Sequence, residues 1–155
     1  MKLNLGCNDF KLKGFINIDI DPRVNPDVVA DVCKLPYEDN SVEEIYAGHV
    51  LEHIPMYIDA LKEWHRVLQP GGKITITVPD IAKALELDEH DGLNLSLEDV
   101  VFGESIREQQ RHWRVLTESK LYSLMSVYFI DLFVLKDSPY LLARVPWQTI
   151  ITGKK

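Results

Sequence analysis

Cysteine is scarce in this sequence of 155 residues, which contains only Cys7 and Cys33. Two cysteines without zinc-ligand spacing predict neither a disulfide framework nor a metal site, and we expect both thiols to be reduced and structural. Long apolar runs are also missing, and the N-terminus lacks the apolar core of a signal peptide. These absences predict a soluble, cytoplasmic protein without a membrane span.

Basic residues are outnumbered by acidic ones, with 17 Lys and Arg against 24 Asp and Glu, which gives a formal net charge of -7. A general nucleic-acid-binding surface requires a basic face, so this charge disfavours such a role. Arg107, Arg111 and Arg114 can still form a local basic patch. The length and the hydrophobic content of 46% fit one packed domain, and we predict a single domain over residues 1–155.

Glycine is in short supply at the place where a dinucleotide would require it. The chain opens with a short apolar strand that breaks at Gly6, a residue that allows a sharp turn and a close ligand approach. The dinucleotide fingerprint needs three glycines, and residues 6–11 contain only the first. This disfavours a pyrophosphate ligand and a nicotinamide-dependent oxidoreductase. A nucleoside without phosphates remains compatible with the pattern.

Acidic residues follow the next two strands, where a nucleoside would need them. Residues 15–20 alternate between apolar and polar types and predict a strand with Asp19 near its end. A carboxylate there can accept both ribose hydroxyls, although Asp21 is an alternative for this role. Residues 28–30 predict a third strand, and Asp31 after it can accept from the adenine amino group, with the Val32 and Cys33 backbone beside the ring.

The chain resembles the class I S-adenosylmethionine-dependent methyltransferases of the type 11 kind. The resemblance rests on a glycine motif at residues 3–7, a ribose motif at residues 17–19 and an adenine motif at residues 30–36. It continues with His-Val-Leu-Glu-His-Ile at residues 49–54 and with a helix, turn and strand pattern at residues 61–73. Together these motifs cover about the first half of the chain.

The resemblance implies a fold, a cofactor and a set of site residues. The fold is an α/β, Rossmann-like, open seven-stranded sheet that is mostly parallel and has a terminal antiparallel strand, and the cofactor is S-adenosylmethionine. The implied catalytic residues are His112 and His49. The implied cofactor-binding residues are Asn4, Leu5, Gly6, Cys7, Asp19, Ile20, Asp31, Val32 and His49.

The connection between the first two strands departs from this family. Only about eight residues follow Gly6 before the second strand, whereas a parallel crossover normally contains a dozen or more, usually as a helix. We therefore predict that the first crossover helix is reduced to a loop. Either the cofactor pocket is unusually open, or a partner subunit or a second copy of the chain closes it.

Later segments complete the predicted sheet. A strand at residues 44–47 ends before His49, and Glu52 and His53 are interpreted as residues that fix the start of a helix at residues 55–68. Trp64 is predicted in the core and His65 in solvent. The Pro-Gly-Gly at residues 70–72 predicts a turn before a strand at residues 73–78.

The last part of the chain is predicted to hold the substrate region and the final strands. Residues 81–116 are expected to form a substrate lid, after Asp80 as a further substrate-side candidate. Within the lid, the acidic residues 88–91 are interpreted as a solvated loop rather than a cation site. Thr117 is a predicted N-cap for a helix. Residues 130–136 and 141–152 predict two antiparallel strands, and residues 153–155 are expected to fray.

The sulfonium of S-adenosylmethionine already activates the methyl group. The protein therefore mainly has to position the nucleophile behind that methyl group, and an extensive set of catalytic residues is not expected. If the acceptor is a hydroxyl, a neutral histidine can take its proton, and His112 and His49 are the candidates. We expect a small-molecule or sugar acceptor, methylated on oxygen. The alternatives are a catalytically inactive cofactor-binding partner subunit and a nucleic-acid or protein methyltransferase.

Overall fold

The chain folds around a seven-stranded sheet in a computed structural model, which describes residues 1–80, 111–136 and 148–155. The strands occur in the order β3-β2-β1-β4-β5-β7-β6 across the sheet. Their bounds are β1 Lys2–Leu5, β2 Ile16–Asp19, β3 Val28–Val29, β4 Val42–Gly48, β5 Leu68–Pro79, β6 Ile130–Leu135 and β7 Gln148–Lys154.

The direction of the strands confirms the predicted fold class. Strands β1 to β5 pair in parallel, and β7 runs antiparallel to both of its neighbours, β5 and β6. The central strands are buried on both faces, which explains their continuous apolar character. Parallel pairing brings the carboxyl ends of β1, β2 and β4 to one edge of the sheet, where a ligand crevice is expected.

The first crossover is a loop, as predicted. Residues 6–15, all of which the structure describes, contain turns and no helix. Asn17 holds this loop from below: its Oδ1 accepts from the Asn4 side chain at 2.9 Å and from the Leu12 N–H at 2.8 Å. Asp27 accepts in turn from the Asn17 N–H and side-chain amide, both at 2.7 Å, and these bonds lower the pKa of Asp27. Side-chain hydrogen bonds thus anchor a connection that has no helix.

Two α-helices flank the sheet in the described residues, in addition to the short 3-10 helices Pro22–Val24 and Leu51–His53. Helix α1 spans Tyr57–Val67, within two residues of its predicted bounds, and buries Trp64 completely. The Trp64 Nε1–H donates to the Val32 carbonyl at 3.0 Å, so α1 is tied to the chain after β3. Helix α2 spans Glu118–Met125, and Thr117 caps it by accepting from the Lys120 N–H, as predicted.

Two local predictions, for the Pro-Gly-Gly turn and for His65, are wrong. The Pro-Gly-Gly at residues 70–72 lies inside β5: Leu68 pairs with Val42 and Lys73 with Glu44, so the segment is a bulge. His65 is half-buried against the Phe129 ring at 5.8 Å and is not simply solvated.

The last residues are paired rather than frayed. Lys154 belongs to β7, and the Lys155 N–H donates to the Gly72 carbonyl at 3.1 Å. The Gly71 N–H donates to the Lys155 carbonyl at 2.9 Å, and Lys155 Nζ donates to Asn40 Oδ1 at 2.6 Å. Local sequence predicted fraying because these partners are remote along the chain.

Most of the predicted lid, including residues 88–91, lies outside the described residues, as does the segment 137–147. Of the predicted lid, the structure describes residues 111–116. No helix among the described residues is long and apolar enough to span a membrane.

Trp64→Ala is expected to lower the free energy of unfolding by about 3–5 kcal/mol, because it removes the largest fully buried side chain of the described residues and its bond to Val32. Urea unfolding followed by circular dichroism measures the change. Lys62→Ala on the exposed side of the same helix is the control and should change it by under about 0.5 kcal/mol. Equal effects of the two substitutions would contradict this account of the core.

Candidate functional site

A crevice opens at the carboxyl edge of the sheet, with a cavity volume of about 670 Å³. This volume is within the usual range for a small-molecule or cofactor site. The lining combines carboxylates from the β2 and β3 ends with apolar and histidine side chains that follow β4. The lining residues are Gly6, Asn8, Asp19, Ile20, Asp21, Val24, Asp31, Val32, Cys33, His49, Val50, His53, Ile54, Pro55, Met56 and Asp59.

Gly6 forms the floor of the crevice in a left-handed conformation, with φ of +60°. A Cβ at this position would lie 2.4 Å from Val50 Cγ2, so the loop after β1 packs directly against the loop after β4. Both constraints require glycine: the backbone angle disfavours a side chain, and no space exists for one. The predicted glycine turn is therefore where the sequence placed it.

Asp19 ends β2 with its carboxylate on the cavity wall. Its Oδ2 accepts from the Asn8 N–H at 2.8 Å and its Oδ1 from the Asp21 N–H at 2.9 Å. The two main-chain donors fix the orientation of the carboxylate, and each of its oxygens retains a further lone pair.

Asp21 also lines the crevice but is bound by Arg23. The Arg23 Nε and Nη2 atoms donate to its two oxygens, with the shortest bond at 2.6 Å. Asp21 also caps the following turn by accepting from the Arg23 N–H. Of the two acids that the sequence left as alternatives, Asp19 is therefore the one whose oxygens are less occupied by side-chain cations.

Asp31, Val32 and Cys33 line the crevice after β3. Asp31 Oδ1 accepts from the Cys33 N–H at 2.8 Å, which holds a tight turn beside the cavity. Burial raises the pKa of the Cys33 thiol to about 11, and it does the same for Cys7. Both cysteines are free thiols and remain protonated at neutral pH, so neither is suited to act as a nucleophile.

Three predicted cofactor residues do not line the cavity. Leu5 is completely buried in the core, and Cys7 is buried with its N–H donating to the Ile18 carbonyl. Asn4 is buried and donates to the Phe10 carbonyl and to Asn17. The remaining predicted cofactor residues, Gly6, Asp19, Ile20, Asp31, Val32 and His49, all line it.

His49 follows β4 in a left-handed conformation, with φ of 54°. Its Nε2–H donates to Gln148 Oε1 at 3.2 Å, and its Nδ1 lies 3.5 Å from Glu52 Oε1. Burial lowers the pKa of His49, which keeps the imidazole neutral at pH 7. Asp80 does not line the cavity: it is buried and accepts from the Thr149 hydroxyl at 2.6 Å.

His112 lies in a segment that crosses the loop after β4. The Trp113 N–H donates to the Glu52 carbonyl at 2.9 Å, and Arg114 Nη2 donates to the Pro55 carbonyl at 2.7 Å. The His112 ring centroid is 4.8 Å from that of His53. The structure therefore brings His49, His53 and His112 into one group, in which His49 and His53 line the cavity and His112 does not.

Glu52 is at the centre of this group and is only 1% exposed. Neither carboxyl oxygen has a hydrogen-bond partner among the residues that the structure describes. Burial raises the pKa of Glu52 to about 8. The expectation that Glu52 and His53 fix the start of α1 is incomplete, because both side chains point into a polar group beside the crevice.

Several lining residues were not expected from the sequence. Asn8, with φ of 42°, turns the glycine loop and bonds to Asp19 through its N–H. Pro55 and Met56 extend the crevice along the β4 loop. The signal for them was their position directly after the His-Val-Leu-Glu-His-Ile motif, from which only His49 was expected at the site.

Gly6→Ala is expected to lower the free energy of unfolding by about 2–5 kcal/mol, through backbone strain and overpacking against Val50. Gly14→Ala is the matched control: Gly14 has φ of +84° with nothing within 4 Å of a built Cβ, so only the strain of about 1–2 kcal/mol should appear. Urea unfolding measures both.

In a Val50→Ala background, the cost of Gly6→Ala should fall toward that of Gly14→Ala, because Val50 Cγ2 is absent. An unchanged cost in this background would show that the two loops do not press on each other at Gly6.

Sequence comparison finds similarity to methyltransferases in the first half of the chain. Residues 13–76 match the family described as a methyltransferase domain. Demethylmenaquinone methyltransferase from Staphylococcus epidermidis is 47% identical over 47 residues, which cover 30% of this chain and 20% of that protein. The matched segment thus spans about a fifth of the relative's length.

Solved structures share the fold. A SAM-dependent methyltransferase from Thermotoga maritima aligns over 99% of this chain and 81% of its own, with a TM-score of 0.66 and 17% identity. An S-adenosylmethionine dependent methyltransferase from Mesorhizobium loti aligns over 99% of this chain and 90% of its own, with a TM-score of 0.62 and 12% identity. The family match over residues 13–76 and the shared fold agree with the resemblance of the sequence to the class I S-adenosylmethionine-dependent methyltransferases.

Proposed function

We propose that this chain binds S-adenosylmethionine in the crevice and transfers a methyl group to an oxygen of a small-molecule or sugar acceptor. The observation that carries the proposal is the Asp19 carboxylate, oriented by two main-chain N–H groups on the cavity wall between Gly6 and Asp31. A carboxylate next to a glycine turn, with a second carboxylate one strand away, can accept from ribose hydroxyls, and this supports the proposal.

The donor and acceptor groups of the crevice fit a nucleoside that carries an amino acid. Asp19 would hold the ribose hydroxyls through charge-assisted bonds. Asp31 and the Val32 backbone would hold the adenine, and the apolar Ile20 side chain at the rim would cover it. The Gly6 turn allows the closest main-chain approach in the crevice, and we assign the methionine portion to this side, toward His49.

Positioning is the main catalytic contribution that these residues can make. Bound S-adenosylmethionine supplies an already activated methyl group. The chain has to align an acceptor oxygen behind that methyl group, and such alignment is worth roughly 7–11 kcal/mol of barrier reduction. His112 and His49 are the groups we assign to take a proton from the acceptor hydroxyl: His49 lines the crevice after β4, and the ring of His112 lies 4.8 Å from that of the lining residue His53.

A small acceptor is supported by charge and by one relative. The net charge of -7 disfavours a polyanionic substrate. A similar sequence segment occurs in a protein named demethylmenaquinone methyltransferase, whose acceptor is a small molecule by that name. The choice of oxygen as the methylated atom rests on the histidines, because a hydroxyl must lose a proton when it is methylated and a histidine can accept it.

A second candidate function is that of a cofactor-binding partner subunit without catalysis. The observation that favours it is the exposure of apolar side chains at the crevice rim: Ile20 is 56% exposed and Met56 is 65% exposed. A partner subunit or a second copy of the chain that covers these two residues would close the crevice. Cofactor binding without turnover by the isolated chain is the result that would favour this function.

Asp19→Asn is expected to weaken S-adenosylmethionine and S-adenosylhomocysteine binding by about 10- to 100-fold, because a neutral amide replaces the charged acceptor. Asp21→Asn is the matched control and should change affinity by less than about threefold, since Arg23 already occupies that carboxylate. Calorimetric titration measures both, with NAD as the ligand that should not bind.

The reverse order, with Asp21→Asn the damaging change, would move the ribose to Asp21. Absence of S-adenosylmethionine binding to the wild-type chain would contradict the proposed function itself.

His112→Gln is expected to slow methyl transfer by about 10²- to 10⁴-fold while leaving S-adenosylmethionine affinity unchanged, because His112 is not part of the cavity wall that would hold the cofactor. Transfer of a tritiated methyl group to demethylmenaquinone, a catechol, a hexose and an RNA oligonucleotide measures turnover. An unchanged rate in this variant would exclude a role for His112, and methylation of the RNA alone would overturn the small-acceptor assignment.

A further inference from the structure

The least satisfied group in the described residues is the Glu52 carboxyl. It is 1% exposed, and both of its oxygens lack a hydrogen-bond partner within the described part of the chain. A buried carboxyl without a donor costs several kcal/mol unless a proton or a cation neutralises it. Nothing in the proposed binding of the nucleoside uses this group. Its surroundings therefore determine what it can bind.

The imidazole of His53 is close to this carboxyl. Its Nδ1 lies 3.2 Å from the Arg111 main-chain oxygen, which can only accept, so Nδ1 carries the hydrogen. In the neutral ring Nε2 is then an acceptor, and it lies 4.0 Å from Glu52 Oε1. An imidazole that donates to a carbonyl through one nitrogen and presents the other is the usual arrangement of a metal-ligating histidine.

His49 shows the same arrangement on the other side of Glu52. Its Nε2–H donates to Gln148 Oε1, and its Nδ1 faces Glu52 Oε1 at 3.5 Å. His112 completes the group: ligand atoms of Glu52, His53 and His112 all lie within 4.8 Å of one another. Modest side-chain rotation can bring these atoms to the separations that one coordinated ion requires.

We propose that Glu52, His53 and His112 form a site for a divalent transition-metal ion, with His49 beside it and not among its ligands. Two imidazoles with one carboxylate suit ions of the zinc, cobalt and iron type, whereas magnesium and calcium prefer oxygen ligands. The group contains one carboxylate and no cysteine, so it has neither the oxygen-rich ligand set of a calcium site nor the thiolates of a structural zinc site. The site adds a binding function that the sequence alone did not predict.

The position of the site suggests what the ion does. His49 and His53 line the crevice, so an ion held between Glu52, His53 and His112 would border the same space as the acceptor. A metal ion there would lower the pKa of a hydroxyl that it binds and would fix its oxygen in place. With His53 and His112 as ligands, the proton of that hydroxyl would pass to His49, which lines the crevice. The ion thus selects acceptors with an oxygen that can coordinate a metal. This role rests on the proposed methyl transfer, whereas metal binding itself does not.

The competing explanation is a protonated Glu52 with no ligand. Burial raises the pKa of this carboxyl to about 8, so a neutral acid is also compatible with the position. The two explanations differ in the role of the histidines, because a protonated acid does not require them. If Glu52 is only a protonated acid, substitution of His53 or His112 would leave any residual metal affinity unchanged.

Calorimetric titration of tag-free, EDTA-treated protein with Zn²⁺ and with Co²⁺ tests the site without any acceptor. We expect one ion per chain, and a visible Co²⁺ absorption band whose shape reports nitrogen and oxygen ligands. Glu52→Gln, His53→Gln and His112→Gln should each weaken binding by more than about 100-fold. His65→Gln, which changes a histidine outside the group, is the matched control and should bind as the wild type does.

Absence of Zn²⁺ and Co²⁺ binding to the wild-type protein would overturn the proposal, as would binding of Mg²⁺ in preference to both. Binding that survives Glu52→Gln, or that His65→Gln abolishes, would also overturn it. Thermal unfolding identifies a variant that has not folded, and for such a variant the Co²⁺ spectrum of the wild type decides. Titration of the same sample with S-adenosylmethionine separates failure of this site from failure of the proposed function.

Discussion

The contact between Gly6 and Val50 is the constraint on which the crevice depends. It joins the loops that follow two neighbouring parallel strands, β1 and β4, at a distance that only a glycine permits. The strand order β3-β2-β1-β4 puts the acids after β2 and β3 on one side of this contact and the histidines after β4 on the other. The contact thus separates the acids of the crevice from its histidines.

A second constraint replaces a missing element. The chain has no helix between β1 and β2, and the loop there is held by Asn17, whose side chain bonds both to Asn4 and to Asp27. A helix would bury an apolar face at this position. The loop instead depends on directional bonds, which fix the Asn8 N–H where it can bond to Asp19. The orientation of the proposed ribose acceptor therefore depends on polar groups beneath the sheet edge.

The sequence predicted the mostly parallel seven-stranded sheet and the acids at the strand ends, because alternation and glycine position are local signals that parallel pairing carries to a common edge. It did not separate wall residues from core residues in the first motif. Asn4, Leu5 and Cys7 belong to the same motif as Gly6, yet their side chains are buried in the interior. The group around Glu52 could not be predicted from the sequence, because its members come from two segments about sixty residues apart. The pairing of Lys155 with Gly72 was missed for the same reason.

The segment at residues 111–114 is attached to the β4 loop through main-chain carbonyls as acceptors: those of Glu52, Pro55 and Arg111. A carbonyl is present whatever side chain its residue carries, so substitutions at the acceptor positions leave the attachment in place. Pro55 and its neighbour Met56 border the crevice, and their side chains are not used in holding the segment. The part of the crevice wall that Pro55 and Met56 form can therefore change during evolution or directed selection while residues 111–114 stay attached. Substitutions in this loop are thus the ones that can alter which molecules enter the crevice without disturbing that attachment.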